Sequence, residues 1–205
     1  MKIGIMGGTF DPIHFGHLNI ANAAFEEYSL DKLIFMTAGD PYFKQGSGVS
    51  SPETRYEMTG LGTADYPHLE CSDMEIKTKG HTYTAETLIK LSKLYPTDEL
   101  FFIMGFDSLK YLDKWYRPET ILEKAVILCA LRDGSSIAEA EELISELKRK
   151  FSETKADIRI IHTPLIDISS TMIREMVKKD EDISKLVPVK VRDFIVSQKL
   201  YKKLS

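Results

Sequence analysis

Short apolar runs alternate with amphipathic segments along this chain, and that alternation restricts its fold more than any other property. Lys2–Met6, Lys32–Thr37, Leu69–Ile76, Glu99–Met104, Ala125–Leu131 and Ile158–His162 read as strands. Helical patterns occupy Leu18–Tyr28, Pro52–Leu61, Thr84–Leu94, Ile137–Phe151, Ser170–Lys178 and Pro188–Gln198. Ser51 followed by Pro52 marks a helix start, since serine caps a free N–H and proline at the first position needs none. Strands apolar at successive positions are buried on both faces, which indicates a parallel sheet covered by helices. The expected fold is α/β: a doubly wound parallel sheet with helices on both faces and a small helical C-terminal region at 168–205. Such sheets bind ligands at the carboxyl ends of their strands.

The first strand ends in a turn suited to that task, Gly7-Gly8-Thr9-Phe10-Asp11-Pro12-Ile13-His14-Phe15-Gly16-His17. Glycines after a strand let backbone N–H groups come close to a ligand, and a helix start favours anions. His14 and His17, three residues apart where the amphipathic segment begins, can donate to phosphate oxygens. The run is neither the G-x-G-x-x-G dinucleotide fingerprint nor a Walker A loop. Two histidines are too few for a metal site, and no third ligand is placed by spacing. The residues leave three readings, phosphate contact ahead of structural histidines and of the start of a metal site, because the histidines occur with the glycines and the helix start.

A second candidate follows the last strand: Asp167-Ile168-Ser169-Ser170-Thr171-Met172-Ile173-Arg174. Its hydroxyls either cap a helix or leave the N–H groups aimed at an anion. Arg174, one turn on, brings a planar multi-donor head to the same point. Gly39–Ser51, rich in Gly and Ser and carrying Lys44, reads either as a substrate-covering loop or as plain surface.

Composition narrows the partners. Lys and Arg total 27 against 31 Asp and Glu, a formal net charge of −4, which argues against a protein built to hold nucleic acid. Cys71 and Cys129 are far apart, lie in apolar runs and show no metal-ligand spacing, so buried reduced thiols and a cytoplasmic home are expected. The chain enters its first strand without a leader-like apolar stretch, and no apolar run approaches the ~20 residues of a membrane span.

The two phosphate motifs together resemble the bacterial nicotinate-nucleotide adenylyltransferases. The first alone, centred on His-x-Gly-His, is shared by a wider group of nucleotidyltransferases; Ile168–Arg174 narrows the choice. Tyr83-Thr84 with Thr87-Leu88 is similar to the family's Tyr-Thr-x-x-Thr-Leu stretch. Gly105-Phe106-Asp107-Ser108-Leu109 followed by Trp115 resembles its Gly-x-Asp-Ser-Leu…Trp segment, and Arg55 with Met58 its Arg-x-x-Met. Pro41-Tyr42-Phe43-Lys44 departs from Pro-Pro-His-Lys by losing the histidine, Arg132-Asp133-Gly134 departs from Arg-Pro-Gly, and Phe106 replaces a small residue beside the adenosine region.

The resemblance implies a Rossmann-like fold, a single nucleotidyltransferase domain over 1–205, and transfer of the adenylyl group of ATP to nicotinate mononucleotide, releasing pyrophosphate. His14, His17 and Arg174 are then the catalytic candidates. ATP contacts fall to Gly7, Gly8, Thr9, Phe10, Gly105, Asp107, Ile168, Ser169, Ser170 and Thr171. Mononucleotide contacts fall to Lys44, Arg55, Thr84, Tyr111 and Trp115, with Tyr111 and Trp115 at helical i, i+4 spacing walling the flat ring. Mg2+ would accompany ATP with no protein metal site. No nucleic acid or membrane partner is expected, and a homo-oligomer is compatible with the chain. The alternatives are an adenylyltransferase of the phosphopantetheine type and a non-catalytic ATP-sensing module.

Overall fold

Apolar runs become strands here because helices cover both of their faces. A computed structural model describes residues 1–39, 49–78, 80–131, 136–163 and 167–202. The strands are β1 (Lys2–Gly8), β2 (Lys32–Thr37), β3 (Leu69–Ser72), β4 (Glu99–Gly105), β5 (Val126–Ala130) and β6 (Ile158–Ile161). The helices are α1 (Phe15–Glu27), α2 (Pro52–Thr63), α3 (Thr84–Leu94), α4 (Phe106–Leu109), α5 (Pro118–Lys124), α6 (Ile137–Lys150), α7 (Ser170–Lys178) and α8 (Val189–Ser197), with a 3₁₀ turn at Leu112–Lys114.

The strands form one six-stranded sheet in the order β3-β2-β1-β4-β5-β6, every pair parallel. The chain winds outward from β1 to β3, returns to the centre at β4, and winds outward the other way. This doubly wound topology puts the reversal of strand order between β1 and β4, where such sheets open a crevice. β1 is in register with β4 from Lys2↔Glu99 to Met6↔Ile103, so Gly7 and Gly8 emerge at the top of that crevice.

Side chains alternate across the sheet. Ile3, Ile5, Phe102, Met104, Ile127 and Cys129 meet α3, α5 and α6 on one face. Met6, Leu33, Phe35, Phe101, Ile103 and Leu128 meet α1, α2, α7 and α8 on the other. The C-terminal helices contribute Ile173, Val177, Val191 and Ile195 to that second core. Burying each such side chain stabilises the fold by about 1.5–3 kcal/mol. Burial pushes the Cys71 thiol up to about 11 and the Cys129 thiol up to about 12, so both stay protonated. No described helix is long and apolar enough to cross a membrane.

Three departures from the sequence expectation bear on the site. α1 starts at Phe15 rather than Leu18, which makes His14 its N-cap and places His17 in its first turn. β3 stops at Ser72, and the residues expected to extend it to Ile76 instead form a turn closed by Lys77 N–H to the Asp73 carbonyl at 3.0 Å. Between Gly105 and Val126 the chain folds into α4, the 3₁₀ turn and α5, a stretch with no expected element.

Candidate active site

The turn after β1 is shaped by a ring packed back onto it. Phe10 adopts a left-handed backbone (φ +50°), and its side chain turns into the core, 5.3 Å from the Phe35 ring. A Cβ on Gly8 would lie 2.7 Å from that ring, so only glycine fits there. The Phe10 ring also meets His17 edge-on at 5.1 Å, and His17 stacks on His14 with centroids 3.7 Å apart. The two imidazoles are thus held side by side at the start of α1, a helix with no side-chain cap and no acidic residue in its first turn. That end of the helix presents positive potential to an anion.

The second motif folds onto the first. Ser169 caps α7 by accepting from Met172 N–H at 3.1 Å. Ser170 Oγ donates to the Pro12 carbonyl at 2.9 Å across 158 residues. Arg174 donates from Nη1 to the Asp11 carbonyl at 2.8 Å and from Nη2 to Thr171 Oγ at 3.2 Å. A Cβ on Gly16 would stand 3.0 Å from His14 Nδ1 and 3.6 Å from the Ile168 carbonyl, so a glycine lets the two helix starts approach. The paired motifs form one continuous donor-rich edge.

Gly7 and Gly8 also line a cavity of about 580 Å³. Thr9, Thr84, Trp115, Tyr116 and Glu75 are among its walls. Trp115 meets Phe102 edge-on at 6.4 Å, and Tyr83 packs on Tyr116 at 4.6 Å. A donor-rich edge and a flat, aromatic-walled pocket therefore share the Gly7–Thr9 turn.

Known proteins resemble this chain in sequence and in fold. The cytidylyltransferase-like family description fits residues 5–176. A protein of Lachnoclostridium phytofermentans named "Probable nicotinate-nucleotide adenylyltransferase" is 44% identical, with 98% of each chain covered. One of the same name from Clostridium tetani is 39% identical, covering 98% of this chain and 99% of its own. The chain belongs to the nicotinate-nucleotide adenylyltransferase family. Its fold is shared with the nicotinic acid mononucleotide adenylyltransferase of Plasmodium falciparum, solved in complex with NaAD, at a TM-score of 0.79 and 19% identity over 98% of this chain and 97% of that one.

Within this adenylyltransferase framework, some expected contacts sit elsewhere. Arg55 is 1% exposed, and its guanidinium is committed to main-chain carbonyls: Nε to Ser50 at 3.0 Å, Nη1 to Thr9 at 2.9 Å, Nη2 to Gly39 at 2.8 Å. Burial lowers its pKa, and Asp11 is the first of the opposing charges that offset this. Arg55 ties the Thr9, Gly39 and Ser50 segments together through its side chain. Tyr111 is 58% exposed with the Lys114 ammonium 5.3 Å from its ring centroid, and it is not among the cavity walls. The intervening 3₁₀ turn explains this: at about three residues per turn, positions i and i+4 point roughly a third of a turn apart.

Phe106 is fully buried in the first core, so its bulk stays out of the crevice. Gly105 ends β4 beside β1, and Asp107 is exposed in the first turn of α4. Lys44, Phe43 and the Arg132-Asp133-Gly134 segment lie outside the described residues.

Glu75 escaped the sequence reading. Its carboxylate accepts from Thr87 Oγ at 2.6 Å and Thr82 Oγ at 3.0 Å, bracketing the Tyr83-Thr84 start of α3. Burial raises its pKa against those two hydrogen bonds. No local pattern marks it, because its partners lie 7 and 12 residues away, one before α3 and one within it.

Proposed function

We propose that this chain joins ATP and nicotinate mononucleotide at the Gly7–Thr9 turn, producing nicotinate adenine dinucleotide and pyrophosphate for NAD biosynthesis. The observation carrying this reading is that one turn borders both the paired-motif edge and the aromatic cavity. The mononucleotide's phosphate oxygen attacks the α-phosphorus of ATP, a P–O bond forms, and the bond to the β-phosphate's bridging oxygen breaks with its electron pair. The attacking phosphate oxygen is already an anion, so no base is required. The work is alignment and stabilisation of the charge on the departing pyrophosphate.

In this mechanism His14 and His17 donate to the ATP phosphates, His17 nearest the α-phosphate. Gly7, Gly8, Thr9 and Phe10 approach ATP through their backbone. Gly105 and Asp107 flank adenosine, with Asp107 on the ribose. Ile168, Ser169, Ser170, Thr171 and Arg174 hold the β- and γ-phosphates. Thr84 and Trp115 face the nicotinate ring, Glu75 keeps the Tyr83-Thr84 turn in place, and Lys44 contacts the mononucleotide phosphate. Among the described residues no group of three or more His, Cys, Asp or Glu is placed to hold a metal. A divalent cation, magnesium in this reading, would be carried in by the ATP phosphates rather than by side chains and would neutralise part of their charge. Residues 1–205 act as one nucleotidyltransferase domain in the cytoplasm.

Purified protein incubated with ATP, magnesium and either the acid or the amide mononucleotide tests the assignment. Dinucleotide and pyrophosphate are expected from the acid, with much less from the amide. No product from either rejects the reaction; product from the amide alone rejects the substrate. Trp115→Ala removes the pocket's flat wall. It is expected to raise KM for the mononucleotide about tenfold, the loss of roughly 1.4 kcal/mol of ring contact, with KM for ATP unchanged. A change confined to ATP would place the ring elsewhere.

A further inference from the structure

Asp11 is one of the residues that join the phosphate turn to the rest of the molecule, and the C-terminal tail reaches it through Tyr201. Asp11 is 1% exposed, and three groups converge on it. Tyr201 Oη donates to Oδ1 at 2.7 Å, the Ser50 N–H donates to Oδ2 at 3.1 Å, and Arg174 Nη1 donates to its main-chain carbonyl at 2.8 Å. These come from three separate parts of the chain: the tail after α8, the approach to α2, and α7.

The tail is built to deliver Tyr201 there. After α8 the Leu200 N–H bonds back to the Ile195 carbonyl at 3.0 Å and the Lys199 N–H to Val196 at 3.2 Å, with Lys199 left-handed at φ +53°. This pattern closes helices, usually with glycine at the left-handed position. Tyr201 is left-handed too, at φ +63°, an uncommon state for a bulky side chain. The chain thereby reverses and points the phenol inward, where Met58 Sδ lies 3.6 Å from its oxygen. Burial, then the Asp11 charge, push the phenol's pKa up, so it remains a donor. The Arg55 guanidinium faces both groups and supplies a compensating charge.

We propose that Tyr201 is a positioning residue for adenylyl transfer: through Asp11 it sets the turn that carries His14 and His17 and the carbonyl on which Arg174 rests. The proposal rests on the adenylyltransferase reading above. Tyr201 touches no substrate in this scheme. It acts by holding a buried carboxylate whose movement would shift the stacked imidazoles and the arginine together, and small misplacements of such groups are costly in the transition state.

The test is a double-mutant cycle on the full chain with Tyr201→Phe and Asp11→Asn, assayed well below their melting temperatures. Tyr201→Phe is expected to lower kcat about tenfold with KM for the mononucleotide within twofold of wild type. The double variant is expected to be no slower than Asp11→Asn alone. A wild-type kcat in Tyr201→Phe, whatever happens to its melting temperature, overturns the proposal, as do effects that multiply in the double variant. If Asp11→Asn does not fold, the kcat of Tyr201→Phe decides by itself. Loss of the underlying reading looks different, because wild-type protein would then make no dinucleotide.

Discussion

His17→Ala is expected to lower kcat by about 10²- to 10³-fold, the usual cost of removing a donor aimed at charge developing in a transition state. KM for nicotinate mononucleotide should change little, because neither histidine is among the walls of the aromatic cavity. The expectation comes from how the ring is held. Phe10 presses on its edge at 5.1 Å and His14 stacks on its face at 3.7 Å, so the imidazole is oriented before ATP arrives. A preorganised donor at a helix start needs no reorganisation as the pyrophosphate leaves. Steady-state kinetics with each substrate varied in turn measures the effect. A kcat near wild type would take His17 out of the transition state, and a large rise in the mononucleotide KM alone would reassign it to ground-state binding.

Arg55→Ala is expected to destabilise the protein by about 3–5 kcal/mol, because it strips three part-buried or buried carbonyls of charge-assisted donors at once. For a chain of this size that lowers the melting temperature on the order of 10 °C. The cause is threefold. The Thr9, Gly39 and Ser50 carbonyls lose charge-assisted donors, Asp11 loses its neighbouring countercharge, and a large buried side chain disappears. Arg55→Lys should recover only part of this, because one ammonium cannot reach three carbonyls set in a planar fork. Calorimetry distinguishes this role from phosphate binding: an unchanged melting temperature with a raised mononucleotide KM would restore Arg55 to the substrate.

The two arginines show where sequence reading succeeds and stops. Arg174 follows a hydroxyl-rich helix start by one turn, and those neighbours alone suggest an anion; the structure seats it beside the histidine turn. Arg55 shows an equally suggestive pattern, yet its three acceptors come from segments that only the fold assembles. Tyr111 and Trp115 part company for a different reason. Their spacing is right for an α-helix, but a 3₁₀ turn whose Leu112 is fully buried rotates one ring out and leaves the other in the wall. Glu75 had no signal to find, since its charge is bracketed by hydroxyls from before and within α3.

Features governed by neighbours in sequence were therefore decided locally: the strand and helix alternation, and the contiguous Gly7–His17 and Ile168–Arg174 runs. Hydrophobic period and turn chemistry act over a few residues, and such interactions can be read in order along the chain. The tertiary structure alone decided which polar groups became buried and what they met there. It brought Arg174 and Tyr201 to Asp11 and enclosed Arg55 among carbonyls. A buried polar group must find its partners wherever packing places them, and that placement is a property of the folded core.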